Sequence, residues 1–312
     1  MNPIGGTELQ YELLYKYVDK NLLNKFQITT SVPEKHELSK TKINILWIQN
    51  SYDQPNVAPW FKEKDNHNKY DWYVFNSHWC AEKYRMVFNV PSNKCVVIKN
   101  AIEKFPNIIK EYKQGDPINL IYTSTPWRGL SVLLGAMQLV KNPLIKCHVY
   151  SSTKIYGSSF QERNDEMYKP LYDQAQQLEN VVYKGYATNE EIMHNMKDYH
   201  IYAYPNIWEE TSCISAIEAL SFGLHSIVTN YGALYETCSE WPVYVNYSTN
   251  YEQMAKDFAA AIEVASGYLH EDFIQDHLNE QQKFYKRFYS WNKKGMEWES
   301  FLKGALSERI RK

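Results

Sequence analysis

Two periodicities alternate along this chain. Short runs rich in β-branched and aromatic residues occupy 26–30, 43–49, 72–76 and 95–99, and they read as strands. Between them, 7–20 and 79–88 carry apolar residues on one helical face; Leu9, Leu13, Leu14 and Tyr17 form the stripe of the first. A polar stretch at 103–117, with two prolines and a glycine, reads as a linker. The alternation then restarts, with strands at 118–123, 146–150, 181–183, 201–204 and 226–229 and helices at 129–140, 164–178, 189–196 and 212–222. From 251 to 311 the pattern is almost wholly helical. Strand–helix alternation predicts parallel sheets with crossover helices, so the fold class is α/β, two such units joined by a hinge.

Composition narrows the chemistry. The 312 residues are 44% hydrophobic, enough for two domains with proper cores. A net charge of −2, from 34 basic and 36 acidic residues, gives no broad electrostatic reason to expect nucleic acid. The cysteines Cys80, Cys95, Cys147, Cys213 and Cys238 are scattered without a C-x-x-C, which argues against a disulfide framework or a zinc site and fits a reducing cytosol. The first 25 residues show no basic-then-apolar leader, and no apolar run approaches 18 residues. The expected location is cytoplasmic, at most on the inner membrane surface, and the Asn246-Tyr247-Ser248 sequon reads as accidental.

The stretch "YPNIWEETSCISAIEALSFGLHSIVTN" (204–230) carries the sharpest candidate chemistry. Thr211 or Ser212 suits an N-cap ahead of the apolar pattern Ile214, Ile217, Leu220. Free amides of such a first turn, with the helix dipole, form an anion site. Glu210 lies just before this turn and Glu218 about 9 Å into a helix begun at Ser212, counting ~1.5 Å per residue. Two carboxylates bracketing an anion site suit a diphosphate flanked by hydroxyl-bearing groups, because carboxylate oxygens accept strong hydrogen bonds from diols. The alternative is plain: Glu209 and Glu210 favour the helix dipole and Glu218 faces water. The small neighbours Ala216 and Ala219 tell against a wet Glu218.

The segment "EETSCISAIEALSFGLHSIVTNYGALYE" resembles the E-x7-E segment of the retaining GT-B glycosyltransferases of family GT4, the glycosyl transferases group 1. Glu210 and Glu218 fill its acidic positions, Gly223 its following glycine, and Gly232-Ala233-Leu234 with Glu236 its later turn. Six further pieces follow in the family's order: "GGTE", "VFNSHWCAEKY", "VVIKNAIE", "YTSTPWRGLSVLLGAM", "VYKGYATNEEI" and "YSWNKKGMEW". The resemblance implies two Rossmann-like domains facing across a cleft: 1–108 on the acceptor side, 109–285 binding a nucleotide-sugar, and a helix at 286–312 packing back on the first domain. The implied reaction moves a sugar from a nucleoside-diphosphate sugar to a glycan, lipid-linked or small-molecule hydroxyl with retained configuration. No cofactor and no metal are expected; no Asp-x-Asp occurs, nor any Gly-x-Gly or P-loop.

Carried across residue by residue, the resemblance makes Glu210 and Arg128 the catalytic pair. Glu210 would contact donor-sugar hydroxyls, Glu218 the ribose, and Arg128 the diphosphate in place of the family's lysine. The amides of Ser212, Cys213 and Ile214, with Thr211, would receive phosphate and sugar oxygens. Ser124 and Thr125 stand in the donor loop, Tyr186 follows Gly185 where the base is held, and Gly6 approaches the donor phosphates. Gly5, Asn50 and His78 form the acceptor side, the last two at expected strand ends. Structural alternatives stay open for each: a surface arginine at a helix start, an ordinary helix entry at Gly5 and Gly6, a structural histidine.

Three departures stand out. Met1 lies four residues before Gly5, so the family's opening strand is expected to be absent, and either the first domain is rebuilt or the sequence is trimmed. Ser124 or Thr125 occupies the place of the family's arginine, one cation fewer for the leaving group. Gln49 stands where many members carry histidine. These leave two rivals: a degenerate GT-B shell that binds nucleotide or glycan without turnover, and a sugar-nucleotide epimerase. The tail, rich in aromatics and cations, either packs on the first domain or makes a peripheral contact with an anionic membrane.

Overall fold

The computed structural model describes residues 5–106 and 111–311, so the expected boundary between 108 and 109 lies outside the described residues. The chain divides into two compact units. One is built from Gly6–Glu103, Glu209–Ile214 and the chain from Arg287 onward, the other from Lys104–Trp208 and Ser215–Lys286.

The first unit runs α1 (Gly6–Tyr17), α2 (Lys20–Leu23), β1 (Phe26–Thr30), β2 (Ile43–Ile48), α3 (Ala58–Lys62), β3 (Trp72–Phe75), α4 (His78–Phe88) and β4 (Cys95–Val97). Its strands form one parallel sheet in the order β1-β2-β3-β4. The sheet has no central gap: β1 pairs β2 from Phe26↔Ile43 to Thr30↔Trp47. Every residue of β2 is buried, the mark of a parallel strand covered on both faces. Alternate side chains feed two cores. Ile43, Ile45 and Trp47 join Leu13 and Leu14 of α1 with Trp298 and Leu302 of the C-terminal helix. Leu46 and Ile48 join Phe61, Tyr84 and Phe88 on the other face.

The second unit runs β5 (Ile118–Thr123), α5 (Leu130–Leu139), β6 (Ile145–Tyr150), α6 (Ser158–Gln177), β7 (Val181–Tyr183), α7 (Asn189–Asn195), β8 (Ile201–Tyr204), α8 (Ile214–Ser221), β9 (His225–Thr229), α9 (Leu234–Cys238), β10 (Val243–Val245), α10 (Tyr251–Tyr268) and α11 (Asp272–Phe288); α12 (Trp291–Arg311) follows. Its parallel sheet has the order β10-β9-β8-β5-β6-β7. Strand order reverses between β5 and β8, and ligands of doubly wound sheets bind beyond the carboxyl ends of the strands at such a point. Among the described residues, no helix is long and apolar enough to cross a membrane.

The helix expected over 7–20 stops at Tyr17, and a separate short one starts at Lys20. The helix expected from 164 opens at Ser158, and α8 opens at Ile214 rather than Ser212. The other end of α8 is fixed by Gly223, whose φ of 70° lets the chain reverse. The Gly223 amide donates to the Leu220 carbonyl at 3.1 Å and the Leu224 amide to the Ala219 carbonyl at 3.1 Å. Gln281 Nε2 donates to the Leu220 and Leu224 carbonyls at 2.9 and 3.1 Å, holding this end of α8 against α11.

Candidate functional site

The loops after β5 and β8 meet at the switch point of the six-stranded sheet. Beyond β5 come Ser124 and Thr125, a 3-10 turn at Pro126–Arg128, and Gly129. Gly129 has φ 120°, and a Cβ there would stand 2.0 Å from the Pro205 carbonyl oxygen, so only glycine lets the two loops touch. On the β8 side, buried Asn206 brackets Trp208. Its Oδ1 accepts from the Trp208 amide at 2.9 Å and its Nδ2 donates to the Trp208 carbonyl at 2.5 Å. Thr229 Oγ1 donates to the Asn206 carbonyl at 2.8 Å, anchoring the bracket to β9.

This geometry puts the Arg128 guanidinium 5.9 Å from the centre of the Trp208 ring. Such a stack holds the planar cation in place over the ring face. Ser124 Oγ lies 3.3 Å from Tyr204 Oη, and the Thr125 carbonyl accepts from Tyr122 Oη at 2.9 Å. Ser124, Thr125 and Arg128 thus share one rigid loop at the carboxyl end of β5.

Glu218 sits one turn into α8 and is only 5% exposed. Asn189 Nδ2, at the start of α7, donates to its Oε1 at 2.7 Å. Burial pushes the carboxyl up from 4.5 to about 7, partly offset by the Asn189 hydrogen bond. A buried carboxylate with one amide donor has acceptor capacity left for hydroxyls. α7 itself is set by a capping box: Thr188 accepts from the Glu191 amide, and Glu191 Oε2 accepts from the Thr188 amide at 2.8 Å. Just before it, Gly185 turns at φ 66° and half-buried Tyr186 lies under the Lys154 ammonium, 5.1 Å from ring centre to nitrogen.

Glu209–Ile214, the segment leading into α8, belongs to the four-stranded unit. Glu209 Oε1 lies 3.8 Å from Lys83 Nζ, and Glu210 is 5% exposed. Thr211, expected as a cap, turns its hydroxyl elsewhere: Oγ1 donates to the Gln49 carbonyl at 2.9 Å and accepts from Asn76 Nδ2 at 3.0 Å. Cys213, immediately ahead of α8, has φ 68°. A β-substituted residue in that left-handed region costs about 1–3 kcal/mol and persists only where its surroundings over-determine it. Gly6, the first residue of α1, packs here; a Cβ on it would stand 3.0 Å from Ile214 Cδ1.

Of the residues assigned to the acceptor side, Asn50 and His78 follow the neighbouring strands β2 and β3. Gly5 is half-buried before α1, and the Asn50 carbonyl after β2 accepts from Tyr84 Oη at 3.0 Å. β3 stops at Phe75, and just past its carboxyl end exposed His78 opens α4 behind its N-cap Ser77, whose side chain accepts from the Cys80 amide. Gln49 forms a reciprocal amide pair with Asn100, at 3.0 and 2.9 Å, and accepts from Asn76 at 3.1 Å. Its side chain is therefore spent within the unit.

Sequence reasoning missed Trp208, Asn189 and Asn76. Trp208 could have been found from its place two residues ahead of Glu210; nothing in the sequence marks the other two. Among the described residues, no group of three or more His, Cys, Asp or Glu side chains is placed to hold a metal ion.

The fold has solved counterparts. A glycosyltransferase from Rickettsia africae superposes with a TM-score of 0.69 at 18% identity, over 96% of this chain and 80% of that one. Anabaena HepE in complex with UDP and glucose gives 0.63 at 13% identity, over 84% of this chain and 72% of that one. The pneumococcal O-GlcNAc transferase GtfA in complex with UDP and GlcNAc gives 0.64 at 13% identity, over 97% of this chain and 60% of that one. At these identities the likeness is one of fold, the two-sheet α/β fold of GT-B glycosyltransferases. No curated protein matches the sequence. The model of the glycosyl transferases group 1 matches residues 103–276, more than half the chain and the whole switch-point sheet, and the chain belongs to that family.

Proposed function

We propose that this protein is a retaining glycosyltransferase of the GT4 type, moving a sugar from a nucleoside-diphosphate sugar to an acceptor hydroxyl. The observation that carries the reading is Glu218: on the helix that starts beyond the β8 carboxyl end, a carboxylate 5% exposed and held by Asn189 of α7. A structural carboxylate in such a place is costly, whereas a ribose diol would satisfy its remaining lone pairs. The donor diphosphate then meets the first-turn amides of α8 and the guanidinium of Arg128. The UDP complexes of HepE and GtfA make UDP-sugars the first donors to test.

In this scheme the bond between the anomeric carbon and the diphosphate oxygen breaks while the acceptor oxygen bonds to the same face. The acceptor proton passes to the departing phosphate oxygen. Arg128 stabilises the negative charge that builds on the leaving diphosphate, a preorganised electrostatic contribution. Glu210 orients the sugar hydroxyls. The cation at the leaving group is Arg128 rather than a divalent ion, so EDTA should leave the rate unchanged. The acceptor is a glycan, a lipid-linked sugar or a small hydroxyl compound, reached from the cytoplasm.

One observation favours binding without turnover: Ser124 and Thr125 are neutral where the family carries a second cation. Thermal unfolding against UDP-, GDP-, ADP- and dTDP-sugars, followed by product analysis, separates the readings. A cognate donor at 100 times Kd should add ~2.7 kcal/mol. Stabilisation without hydrolysis or transfer would support the binder; no stabilisation by any of the four would sink the donor-site proposal.

A further inference from the structure

We infer that Asn76, Gln49 and Thr211 form a clamp that holds the segment leading into α8 in its working conformation, with Thr211 a positioning residue rather than a donor ligand. Its catalytic arm rests on the function proposed above. The Thr211 hydroxyl has its proton on the Gln49 carbonyl at 2.9 Å and receives one Asn76 amide hydrogen at 3.0 Å. Asn76 gives its other amide hydrogen to Gln49 Oε1 at 3.1 Å, and Gln49 is in turn locked to Asn100. Asn76 is 2% exposed and Thr211 9%, so these bonds are shielded from water. Gln49 and Asn76 lie one residue past the ends of β2 and β3, so the clamp is anchored on the rigid sheet.

The clamp stands beside a strained residue. Two positions on, Cys213 holds φ 68°, a conformation that a cysteine adopts only under constraint. Three contacts supply that constraint: Lys83 near Glu209, the Thr211 clamp, and Gly6 against Ile214. Glu210 and the amides of Cys213 and Ile214 lie between them. Loss of the clamp should let Cys213 relax to negative φ, turning its amide and swinging Glu210 from its place.

Alkylation of Cys213 by iodoacetamide, resolved by peptide mass, reads the clamp without any donor. Cys213 is 8% exposed in the intact chain. Thr211→Val, and independently Asn76→Ala, should raise its labelling at least about fivefold, with Thr211→Ser near wild type. With UDP-glucose as the donor probe, or the sugar nucleotide that the unfolding screen selects, Thr211→Val should lower kcat at least about tenfold. Adding Cys213→Gly, which adopts positive φ without strain, should restore most of that loss. A merely structural Thr211 predicts no such rescue. Unchanged Cys213 labelling in both clamp variants, or an unrescued kcat, overturns the proposal. A wild-type protein that turns over no donor sinks the transferase reading, while labelling still decides the clamp.

Discussion

Glu218 should make the stability of the fold fall as pH rises, and donor binding should reverse that cost. The carboxyl ionises near 4.5 in the open chain and at about 7 in the fold, because burial disfavours its charge. The fold therefore binds this proton more tightly than the unfolded chain does. Its contribution is full below 4.5 and is lost as pH rises through about 7, a swing of roughly 3 kcal/mol. His225 runs the other way: burial lowers it from 6.5 to about 4, so it withdraws stability as pH falls below 6.5. The two overlap in a raw pH profile. The difference between wild type and Glu218→Gln isolates Glu218, since glutamine keeps the acceptor for Asn189 and loses the proton. Urea unfolding at pH 5.5 and 8.5 should show wild type losing about 2 kcal/mol more than the variant over that interval. A ribose diol donates to the carboxylate and favours the charged form. UDP-glucose affinity should thus weaken by up to about tenfold per pH unit below 7 in wild type and stay flat in Glu218→Gln. Parallel profiles for the two proteins would refute the reasoning.

Arg128→Ala and Glu210→Gln should each cut transfer by about 10²–10³ with the circular dichroism spectrum unchanged; wild-type turnover in either removes its assigned role. Gly129→Ala must place a Cβ 2.0 Å from the Pro205 carbonyl oxygen at φ 120°, so the β5 and β8 loops have to part. It should cost at least ~3 kcal/mol in urea unfolding and weaken donor binding, and a neutral outcome would mean that the loops are not in contact. Trp298→Ala empties the space beside Trp47, whose ring centre is 4.9 Å away, and should destabilise the four-stranded unit by about 3–5 kcal/mol.

The strands were legible where burial on both faces leaves an unbroken apolar run. β2 reads INILWI with every residue buried, and the sequence places it to within one residue. β10 spans only Val243–Val245, and α2, α3 and α9 hold four or five residues, too short for either period to register. The start of α8 was misplaced for a different reason. Thr211 looks like a cap in sequence, but its hydroxyl answers to Asn76 and Gln49, 135 and 162 residues away. A long-range partner thus overrides a local preference. Asn189 escaped for the same cause: its tie to Glu218 spans 29 residues and no motif announces it. The small residues around Glu218 did point to burial, because Ala216 and Ala219 leave a close-packed face.

The diphosphate of an activated sugar should be gripped where α8 begins. Crystals grown with saturating UDP-glucose test it most directly. Density for the diphosphate at the Cys213 and Ile214 amides and Arg128, with the ribose on Glu218, is the predicted result. A well-ordered nucleotide bound elsewhere, with Arg128 and Glu218 untouched, would contradict it.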